Sequence, residues 1–504
     1  MTNPLFDTLV APLAARKTAF LTDAAGTEMS GAAFHALALR YAAALTGLGL
    51  RPGDRMAVQI DKTPQALALY AAALASGVVF LPLNTAYTAD EVAYFVGNAG
   101  AALLVGSPAR AEALGGVAAR YGAQFHTMDD AGQGSLTDIA GSGPEGFSPV
   151  PRGPDDLAAI LYTSGTTGRS KGAMLSQQNL LSNARVLATE WHFTPDDVLL
   201  HALPIFHTHG LFVACNVVML SGGSMIFLPG FKADQVISLL PKATTMMGVP
   251  TFYIRLLDDA RFDRSLVAHM RLFTSGSAPL LADTHIQFEQ RTGHRILERY
   301  GMTETNMNTS NPYEGARRAG TVGLPLPGVE LKITDPVTGT TLPQGEPGMI
   351  EVRGANVFKG YWQMPEKTRE ELRDDGFFIT GDIGQIDADG YVSIVGRQKD
   401  LIITGGYNVY PKEIELLLDD QPGVLESAVI GVPHPDFGEA VVAVLVAAKG
   451  ATIDTTAIAA ALGQSLARFK QPKQILVLPD LPRNTMGKVQ KNLLRQDYAD
   501  LFTS

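Results

Sequence analysis

The feature that most restricts the fold of this chain is a short apolar run leading directly into a loop of glycine and hydroxyl residues. Leu157–Tyr162 reads LAAILY, and residues 163–172 read TSGTTGRSKG. A short apolar run bounded by such a turn is typical of a buried strand in an α/β sheet. Glycines let backbone N–H groups approach phosphate oxygens, hydroxyls donate further hydrogen bonds, and Lys171 adds charge. The segment predicts a phosphate-binding loop.

The loop does not follow the two most familiar nucleotide-binding patterns. Gly165 and Lys171 have the outer spacing of a Walker loop, but Ser170 replaces its second glycine and Gly172 its magnesium-binding hydroxyl. No G-x-G-x-x-G opens a helix after a strand, which disfavours a Rossmann dinucleotide site. A flexible surface turn is the structural alternative. The density of glycines and hydroxyls after an apolar strand favours the phosphate loop.

Strand and helix patterns alternate through much of the chain. Arg55–Ile60 is patterned as a strand, Gln65–Ala75 as a helix and Val78–Leu83 as a buried strand, which predicts a doubly wound α/β architecture. Between 321 and 361 the pattern changes to short strands broken by Gly and Pro, indicating a small β-rich subdomain. After Asp400 a smaller α+β unit begins.

Composition limits the function classes. A chain of 504 residues is expected to form more than one domain. Its net charge of −10 argues against binding to nucleic acid or to an anionic membrane. The single cysteine, Cys215, excludes an intramolecular disulfide and a cysteine-based zinc site. Without a signal-peptide pattern or a membrane-spanning apolar run, we expect a cytoplasmic protein.

Five ordered segments resemble the adenylate-forming superfamily, which includes acyl-CoA synthetases, the adenylation domains of peptide synthetases, and luciferases. Tyr162–Gly172 resembles the family's signature loop. The others are YGMTET at 300–305, TGD at 380–382, GRQKD at 396–400 followed by GGYN at 405–408, and PRNTMGK at 482–488. The resemblance covers most of the chain. It implies an enzyme that uses ATP and Mg²⁺ to activate a carboxylic acid as an acyl-adenylate, then transfers the acyl group to coenzyme A.

The resemblance also implies a domain organisation. Residues 1–396 would form the large N-terminal adenylation domain, with doubly wound α/β subdomains, the β-rich subdomain, and the ATP and acyl pockets. Residues 397–400 would be the hinge, with Asp400 as pivot, and 401–504 a small, mobile α+β lid domain. After adenylation, rotation would withdraw Lys488 and bring in the loop of Gly405, Gly406 and Tyr407, opening the pantetheine tunnel. A glycine pair suits a loop that passes close to a slender ligand.

Individual roles are implied for the motif residues. Glu304 would hold Mg²⁺, which prefers oxygen ligands and phosphates, and Thr303 would bind the α-phosphate. Asp382 would accept the ribose hydroxyls, with Arg397 donating to ribose or phosphate. Lys488 would bridge the substrate carboxylate and the α-phosphate. The remaining predicted nucleotide contacts are Thr163, Ser164, Gly165, Thr166, Thr167, Gly168, Lys171, Ser277, Glu298, Arg299 and Tyr300, the last by stacking on adenine.

Three histidines, His201, His207 and His209, invite a metal-site interpretation. No cysteine or acid lies among them and the segment is mostly apolar, which disfavours it. The resemblance instead places His207 at the acyl pocket, near the adenylate.

The acid is predicted from the segment VPTFYIR at 249–255, which starts a helix at Pro250. Arg255 is one turn from Phe252, so both share a face. A buried arginine needs an anionic partner, and a second substrate carboxylate would supply it. With Ser277, the segment looks like malonyl-CoA and methylmalonyl-CoA synthetases, and Gly301 and Met302 are further predicted substrate contacts. The alternative is that Arg255 is a surface residue of an amphipathic helix.

Other functions stay open from the sequence. The closest is a short- or medium-chain aliphatic acyl-CoA synthetase, followed by a stand-alone adenylation enzyme that loads a carrier-protein thiol. A noncatalytic nucleotide sensor is disfavoured because Lys488, Glu304 and the hinge motif are intact. Acetylation would remove the charge of Lys488, so a lysine acetyltransferase and deacetylase are further candidate partners.

Overall fold

The computed structural model describes residues 2–143, 146–163, 170–404, 407–484 and 487–502. The chain divides into two compact units. The first comprises Met1–Glu330 and Val352–Phe378, and the second Leu331–Glu351 and Ile379–Ser504. The division predicted at 397–400 stays a prediction.

The strands of the described residues follow in chain order. They are β1 Ala19–Thr22, β2 Glu28–Ser30, β3 Arg55–Gln59, β4 Val79–Pro82, β5 Leu103–Gly106, β6 Gln124–Thr127, β7 Leu157–Thr163, β8 Lys171–Ser176, β9 Val198–His201, β10 Ser224–Phe227, β11 Thr245–Gly248, β12 Leu272–Ser275, β13 Leu297–Met302, β14 Asn306–Ser310, β15 Leu324–Pro325, β16 Val329–Thr334, β17 Gly348–Gly354, β18 Phe378–Ile386, β19 Val392–Arg397, β20 Ile402–Thr404, β21 Tyr407–Val409, β22 Val424–His434, β23 Gly438–Ala447 and β24 Gln474–Leu478.

Helices alternate with these strands along the chain, and most of them belong to the first unit. They are α1 Gly31–Gly47, α2 Pro64–Ser76, α3 Ala89–Ala99, α4 Ala111–Tyr121, α5 Ser135–Ser142, α6 Gln177–Glu190, α7 Asn216–Ser221, α8 Ala233–Leu239, α9 Pro250–Leu257, α10 Arg264–Val267, α11 Ala282–Thr292, α12 Pro365–Glu371, α13 Pro411–Asp419, α14 Thr455–Ser465 and α15 Lys491–Asp497. Two π-helical segments, Phe6–Val10 and His209–Cys215, and short 3₁₀ segments, among them Gln398–Asp400, complete the set.

Two sheets form the centre of the first unit. One is six-stranded, in the order β6–β5–β3–β4–β7–β8, and the other is nine-stranded, in the order β15–β14–β13–β12–β11–β9–β10–β1–β2. Strands β3 to β7 of the first sheet pair in parallel, as do β9 to β13 of the second. The carboxyl ends of parallel strands meet at one edge, where α/β proteins place their sites.

Helix α2 illustrates how the sequence fixes these boundaries. The Thr63 side chain accepts a hydrogen bond from the backbone of Ala66, and Pro64 occupies the first turn. Gly77 ends the helix in the left-handed conformation, with φ of 71°. The Ala- and Leu-rich residues between are buried on all sides, so the helix belongs to the core.

The second unit is mostly sheet. It contains most of a four-stranded sheet in the order β16–β17–β18–β19, and a sheet in which β21–β20–β23–β22 are neighbours and β24 pairs with β23. Helices α13 and α14 pack over the second of these, on a core that includes Ile414 and Leu462.

The α/β prediction is confirmed, and so are its local elements: the three patterned segments between 55 and 83 correspond to β3, α2 and β4. Short strands β15 to β17 occupy the region predicted to be β-rich. Within the described ranges, no helix combines the length and apolar character needed to cross a bilayer.

Candidate active site

The residues on either side of the predicted phosphate loop lie opposite each other. Thr163 ends β7 and Lys171 begins β8, and the two are paired in an antiparallel ladder. The loop residues between them that were predicted to bind phosphate, Ser164, Gly165, Thr166, Thr167 and Gly168, lie outside the described residues. Their contacts therefore stay a prediction.

Lys171 takes part in a hydrogen-bonded network inside the first unit. Its Nζ donates to both carboxylate oxygens of Glu371, at 3.0 and 3.1 Å, and to the Tyr361 hydroxyl at 3.1 Å. Burial alone would raise the pKa of Glu371. The hydrogen bonds from Tyr361 and Lys367 and the charge of Lys171 outweigh that effect, so its pKa lies below its usual value. The carboxylate therefore stays ionised beside the lysine.

Glu304 lies on the turn between β13 and β14. Its neighbour Thr303 is half-buried, whereas Glu304 is only 5% exposed. The Tyr361 hydroxyl lies 3.1 Å from Oε1 of Glu304, and the backbone N–H of Phe358 donates to the Glu304 carbonyl at 2.8 Å. A Cβ on Gly301 would lie 1.8 Å from the carbonyl oxygen of Asn306, so only glycine permits this tight hairpin.

The donor set at Glu304 fits magnesium bound together with a nucleotide. Across the described part of the chain, no three His, Cys, Asp or Glu side chains cluster to hold a metal by themselves. Mg²⁺ typically uses one or two carboxylates, with substrate phosphates completing its octahedron. The buried Glu304 carboxylate, which shares the Tyr361 hydroxyl with Lys171, is compatible with such a set.

Arg299 is a buried charged residue of the first unit. It is 3% exposed, and no described residue hydrogen-bonds its Nε or Nη2 atom. Burial lowers the pKa of Arg299 to about 9, which leaves the guanidinium charged at neutral pH. A Cβ on Gly276 would lie 2.1 Å from Nη1 of Arg299, so this glycine makes room for the side chain. Buried donors normally find partners, so these two unsatisfied guanidinium nitrogens are able to bind an anion.

His209 and Ser277 lie beside this arginine. Nδ1 of His209 is 3.2 Å from the Ser277 hydroxyl, while its Nε2 is buried without a partner among the described residues. Burial, and then the charge of Arg299, hold the pKa of His209 well below its usual value, so the ring is neutral. Ser277 has a φ of 71°, unusual for a residue other than glycine. The predicted pocket residue His207 is half-buried, and its Nδ1 accepts from the backbone N–H of His209 at 3.3 Å.

Arg255 is exposed, so the burial expected of its side chain is wrong, whereas its predicted contact with the substrate stays a prediction. Helix α9 buries a stripe at spacing three, Pro250, Tyr253 and Leu256, and Arg255 falls outside it and is exposed. Phe252 is part-buried, stacked on a neighbouring ring, so sharing a face with it does not bury the arginine. The sequence did not indicate that Arg299 and His209 are buried, because residue spacing does not reveal which side chains are buried.

The other predicted residues of the first unit lie along β13. Glu298 is buried and accepts a hydrogen bond from the backbone of Leu280 at 3.1 Å. Tyr300 and Met302 are half-buried. Because side chains alternate along a strand, Glu298 and Tyr300 share one face of β13 and Arg299 lies on the other, and a register shift between Tyr300 and Gly301 interrupts the alternation before Met302.

The second unit brings together the two predicted ribose ligands. Asp382 and Arg397 are paired residues of β18 and β19. Nε of Arg397 lies 2.5 Å from Oδ1 of Asp382, which is almost fully buried. The Thr380 hydroxyl accepts from the backbone N–H of Asp382 at 3.1 Å.

Lys488 is an exposed residue of the second unit and follows Gly487. Its backbone N–H donates to the Asn484 side chain at 3.0 Å, and Gly487 has a φ of 74°. Arg483 donates to the Gly487 carbonyl at 2.7 Å and pairs with Glu426. Hydrogen bonds therefore connect the described residues on either side of positions 485–486.

The predicted hinge and thiol-loop residues also belong to the second unit. Asp400 ends the 3₁₀ segment Gln398–Asp400, and its Oδ1 lies 2.5 Å from Nη2 of Arg495. Tyr407 is 59% exposed and stacks on Phe469, with ring centroids 4.6 Å apart. Gly405 and Gly406 lie outside the described residues.

Comparison with known proteins places these features in a family. The family model of AMP-binding enzymes matches residues 11–362, and that of the AMP-binding enzyme C-terminal domain matches 413–488. A malonate–CoA ligase of Arabidopsis thaliana is 35% identical over 90% of this chain and 79% of its own length. A feruloyl-CoA synthase of an Amycolatopsis species is 36% identical over 94% and 95%. The ATP-bound crystal structure of MatB from Rhodopseudomonas palustris is 57% identical, covers 100% of both chains and superposes with a TM-score of 0.97.

Proposed function

The chain belongs to the AMP-binding enzyme family, and we propose that within this family it is a ligase that joins a short dicarboxylic acid, malonate or methylmalonate, to coenzyme A. It is an AMP-forming acyl-CoA synthetase that uses ATP, Mg²⁺ and coenzyme A. One substrate carboxylate attacks the α-phosphorus of ATP and pyrophosphate leaves. The thiol of coenzyme A then attacks the acyl-adenylate and AMP leaves.

The reacting groups are anionic, so the side chains act mainly by neutralising charge and by positioning. Lys171 would bind phosphate at the loop, and Lys488 would bridge the attacking carboxylate and the α-phosphate. Asp382 would hold the ribose. Glu304, with phosphate oxygens of ATP, would hold Mg²⁺, which supplies further charge neutralisation when bound.

The observation that carries the dicarboxylate proposal is the buried Arg299 guanidinium with two donors that no described residue satisfies. A distal carboxylate would accept both in a bidentate pair. The Ser277 hydroxyl, 3.2 Å from Nδ1 of His209, is a further hydrogen-bonding group near the arginine. We therefore propose that Arg299, in place of Arg255, binds the distal carboxylate of the substrate.

The same observation disfavours the aliphatic alternative. A monocarboxylic acid would leave the guanidinium buried without an anion, which is costly. A site built for a polar group rejects analogues lacking that group strongly. An enzyme that loads a carrier-protein thiol would differ from a coenzyme A ligase only in the second step. It remains the second candidate function.

The proposal is tested by incubating the protein with ATP, Mg²⁺ and coenzyme A and one acid at a time, measuring AMP. Malonate and methylmalonate should exceed propionate, butyrate and ferulate by at least about 100-fold in kcat/KM. A preference for butyrate or ferulate would refute the dicarboxylate assignment. Thioester formation on a carrier protein but not on coenzyme A would favour the second candidate.

Three further assignments are part of the proposal. Residues 397–400 would form the hinge between the domains 1–396 and 401–504. A lysine acetyltransferase and deacetylase would control Lys488, whose exposure makes it accessible to both. The protein would act in the cytoplasm.

A further inference from the structure

Tyr361 lies at the junction of the Lys171 network and Glu304, and none of the family motifs named above includes it. The residue is 2% exposed. Its hydroxyl oxygen is 2.6 Å from Oε2 of Glu371 and 3.1 Å from Oε1 of Glu304. Two carboxylates that the sequence separates by more than sixty residues therefore meet at one phenol group.

A phenol has one proton to donate. The Tyr361 hydroxyl can therefore satisfy only one of the two carboxylates at a time. Nζ of Lys171 donates to the same oxygen at 3.1 Å and lies 4.2 Å from the centre of the ring. The proton can go to Glu304 while Lys171 neutralises Glu371. It can stay there after Lys171 moves to a phosphate, because Nζ of Lys367 also lies 2.9 Å from the Glu371 carboxylate.

The position of Tyr361 does not depend on its hydroxyl. Its backbone forms an isolated antiparallel bridge with Ala173 in β8. On either side, Gly360 accepts from the backbone of Met174 at 3.0 Å, and Trp362 donates to Gly172 at 2.8 Å. The segment is thus attached to β8 by its main chain, and the side-chain oxygen is available for a separate role.

We propose that Tyr361 is a positioning residue for the magnesium–ATP complex, holding the Glu304 carboxylate for the metal while Lys171 exchanges Glu371 for a phosphate. This inference rests on the proposed function, because it takes Glu304 as the magnesium carboxylate and Lys171 as a phosphate ligand. The hydroxyl should therefore strengthen ATP binding when Mg²⁺ is present and have no effect on ATP binding when it is absent.

The test is calorimetric titration of ATP, without acid or coenzyme A, in excess Mg²⁺ and again in EDTA. Wild type should bind more tightly with Mg²⁺. In Tyr361→Phe, the gain in ATP affinity caused by Mg²⁺ should be about tenfold smaller than in wild type. Its ATP affinity in EDTA should match that of wild type within about twofold. Tyr41→Phe is the matched control. It also removes a buried phenol hydroxyl, one that contacts Thr137 at 2.9 Å, and should behave as wild type in both buffers.

Two results would overturn the inference alone: a wild-type metal-dependent gain in Tyr361→Phe, or equal losses with and without Mg²⁺, which indicate a structural role. Wild type that fails to bind ATP would overturn the proposed function as well. If Tyr361→Phe does not fold, Glu371→Gln decides. It frees Lys171 while keeping an acceptor for the phenol, so affinity in EDTA should rise several-fold with the metal-dependent gain retained. Loss of the gain there would contradict the proposal.

Discussion

At the scale of single residues, Arg299 and Arg255 differ in environment, and this difference is directly testable. Arg299→Met should lower kcat/KM for malonate by about 30- to several-thousand-fold, because loss of a buried pair with the distal carboxylate costs roughly 2–5 kcal/mol. Thermal stability should not fall, since the substitution removes a buried charge that has two unsatisfied donors. Arg255→Leu is the matched control and should stay within about twofold. Equal losses in both variants would contradict the assignment.

Lys488 gives a second prediction at this scale. Lys488→Ala should abolish ATP–pyrophosphate exchange, because the adenylation step loses its bridging cation. Thioester formation from supplied malonyl-adenylate should remain largely intact. Acetylation should have the same pattern, since it also removes the charge. Exchange at the wild-type rate in Lys488→Ala would end the assignment, and full activity of homogeneously acetylated protein would end the regulatory proposal.

The sequence indicated which residues belong to each ordered motif, but it did not show which side chains are buried. Glu304 and Asp382 were singled out because their motifs were recognisable, and both are buried. Arg299 was named only as a nucleotide contact, and Glu371 and Tyr361 were not named at all. Their importance comes from contacts across long stretches of chain, such as the 3.0 Å contact between Lys171 and Glu371 at the end of α12, and no local pattern encodes these.

At the scale of elements, the hairpin β13–β14 depends on one glycine. Gly301→Ala would place Cβ 1.8 Å from the Asn306 carbonyl oxygen, a backbone atom that cannot rotate away. We expect a loss of about 3 kcal/mol or more in the free energy of unfolding, with weaker magnesium–ATP binding because Thr303 and Glu304 shift. Urea unfolding and calorimetry would measure both.

Gly116→Ala is the matched control, because Gly116 lies in α4 with no atom within 4 Å of the added Cβ. The substitution should be neutral or stabilising by about 0.5–1 kcal/mol. Similar effects in both variants would contradict this reasoning.

Regular elements were predictable and irregular ones were not. Periodicity located β3, α2 and β4 to within a residue or two. The π-helical turn His209–Cys215 and the left-handed Ser277 have no comparable signal, because each is imposed by tertiary packing. These irregular elements carry His209 and Ser277 to the arginine, in keeping with the tendency of π-bulges and strained backbone to occur at functional sites.

At the scale of the whole molecule, the chain has a net charge of −10 but binds anions by the proposed mechanism. In that mechanism the attraction would be local, supplied by Lys171, Arg299, Arg397 and Lys488 at their own sites. The first three would serve both half-reactions, whereas Lys488 would be needed only in the first. A change in its position between the steps is what the proposed hinge would provide.

The hinge proposal makes the last prediction. Asp400→Pro should slow thioester formation more than adenylation, because proline holds φ near −65° and restricts rotation at the pivot. Asp400 also pairs with Arg495 at 2.5 Å, so loss of that ion pair must be separated from loss of backbone freedom. Asp400→Ala removes the ion pair and leaves φ free, and it should slow both steps equally and mildly, since a part-exposed pair contributes about 1 kcal/mol or less. Rapid-quench measurement of each half-reaction would distinguish the two. Equal losses in Asp400→Pro, or a selective loss in Asp400→Ala, would place the pivot elsewhere and leave Asp400 as the partner of Arg495.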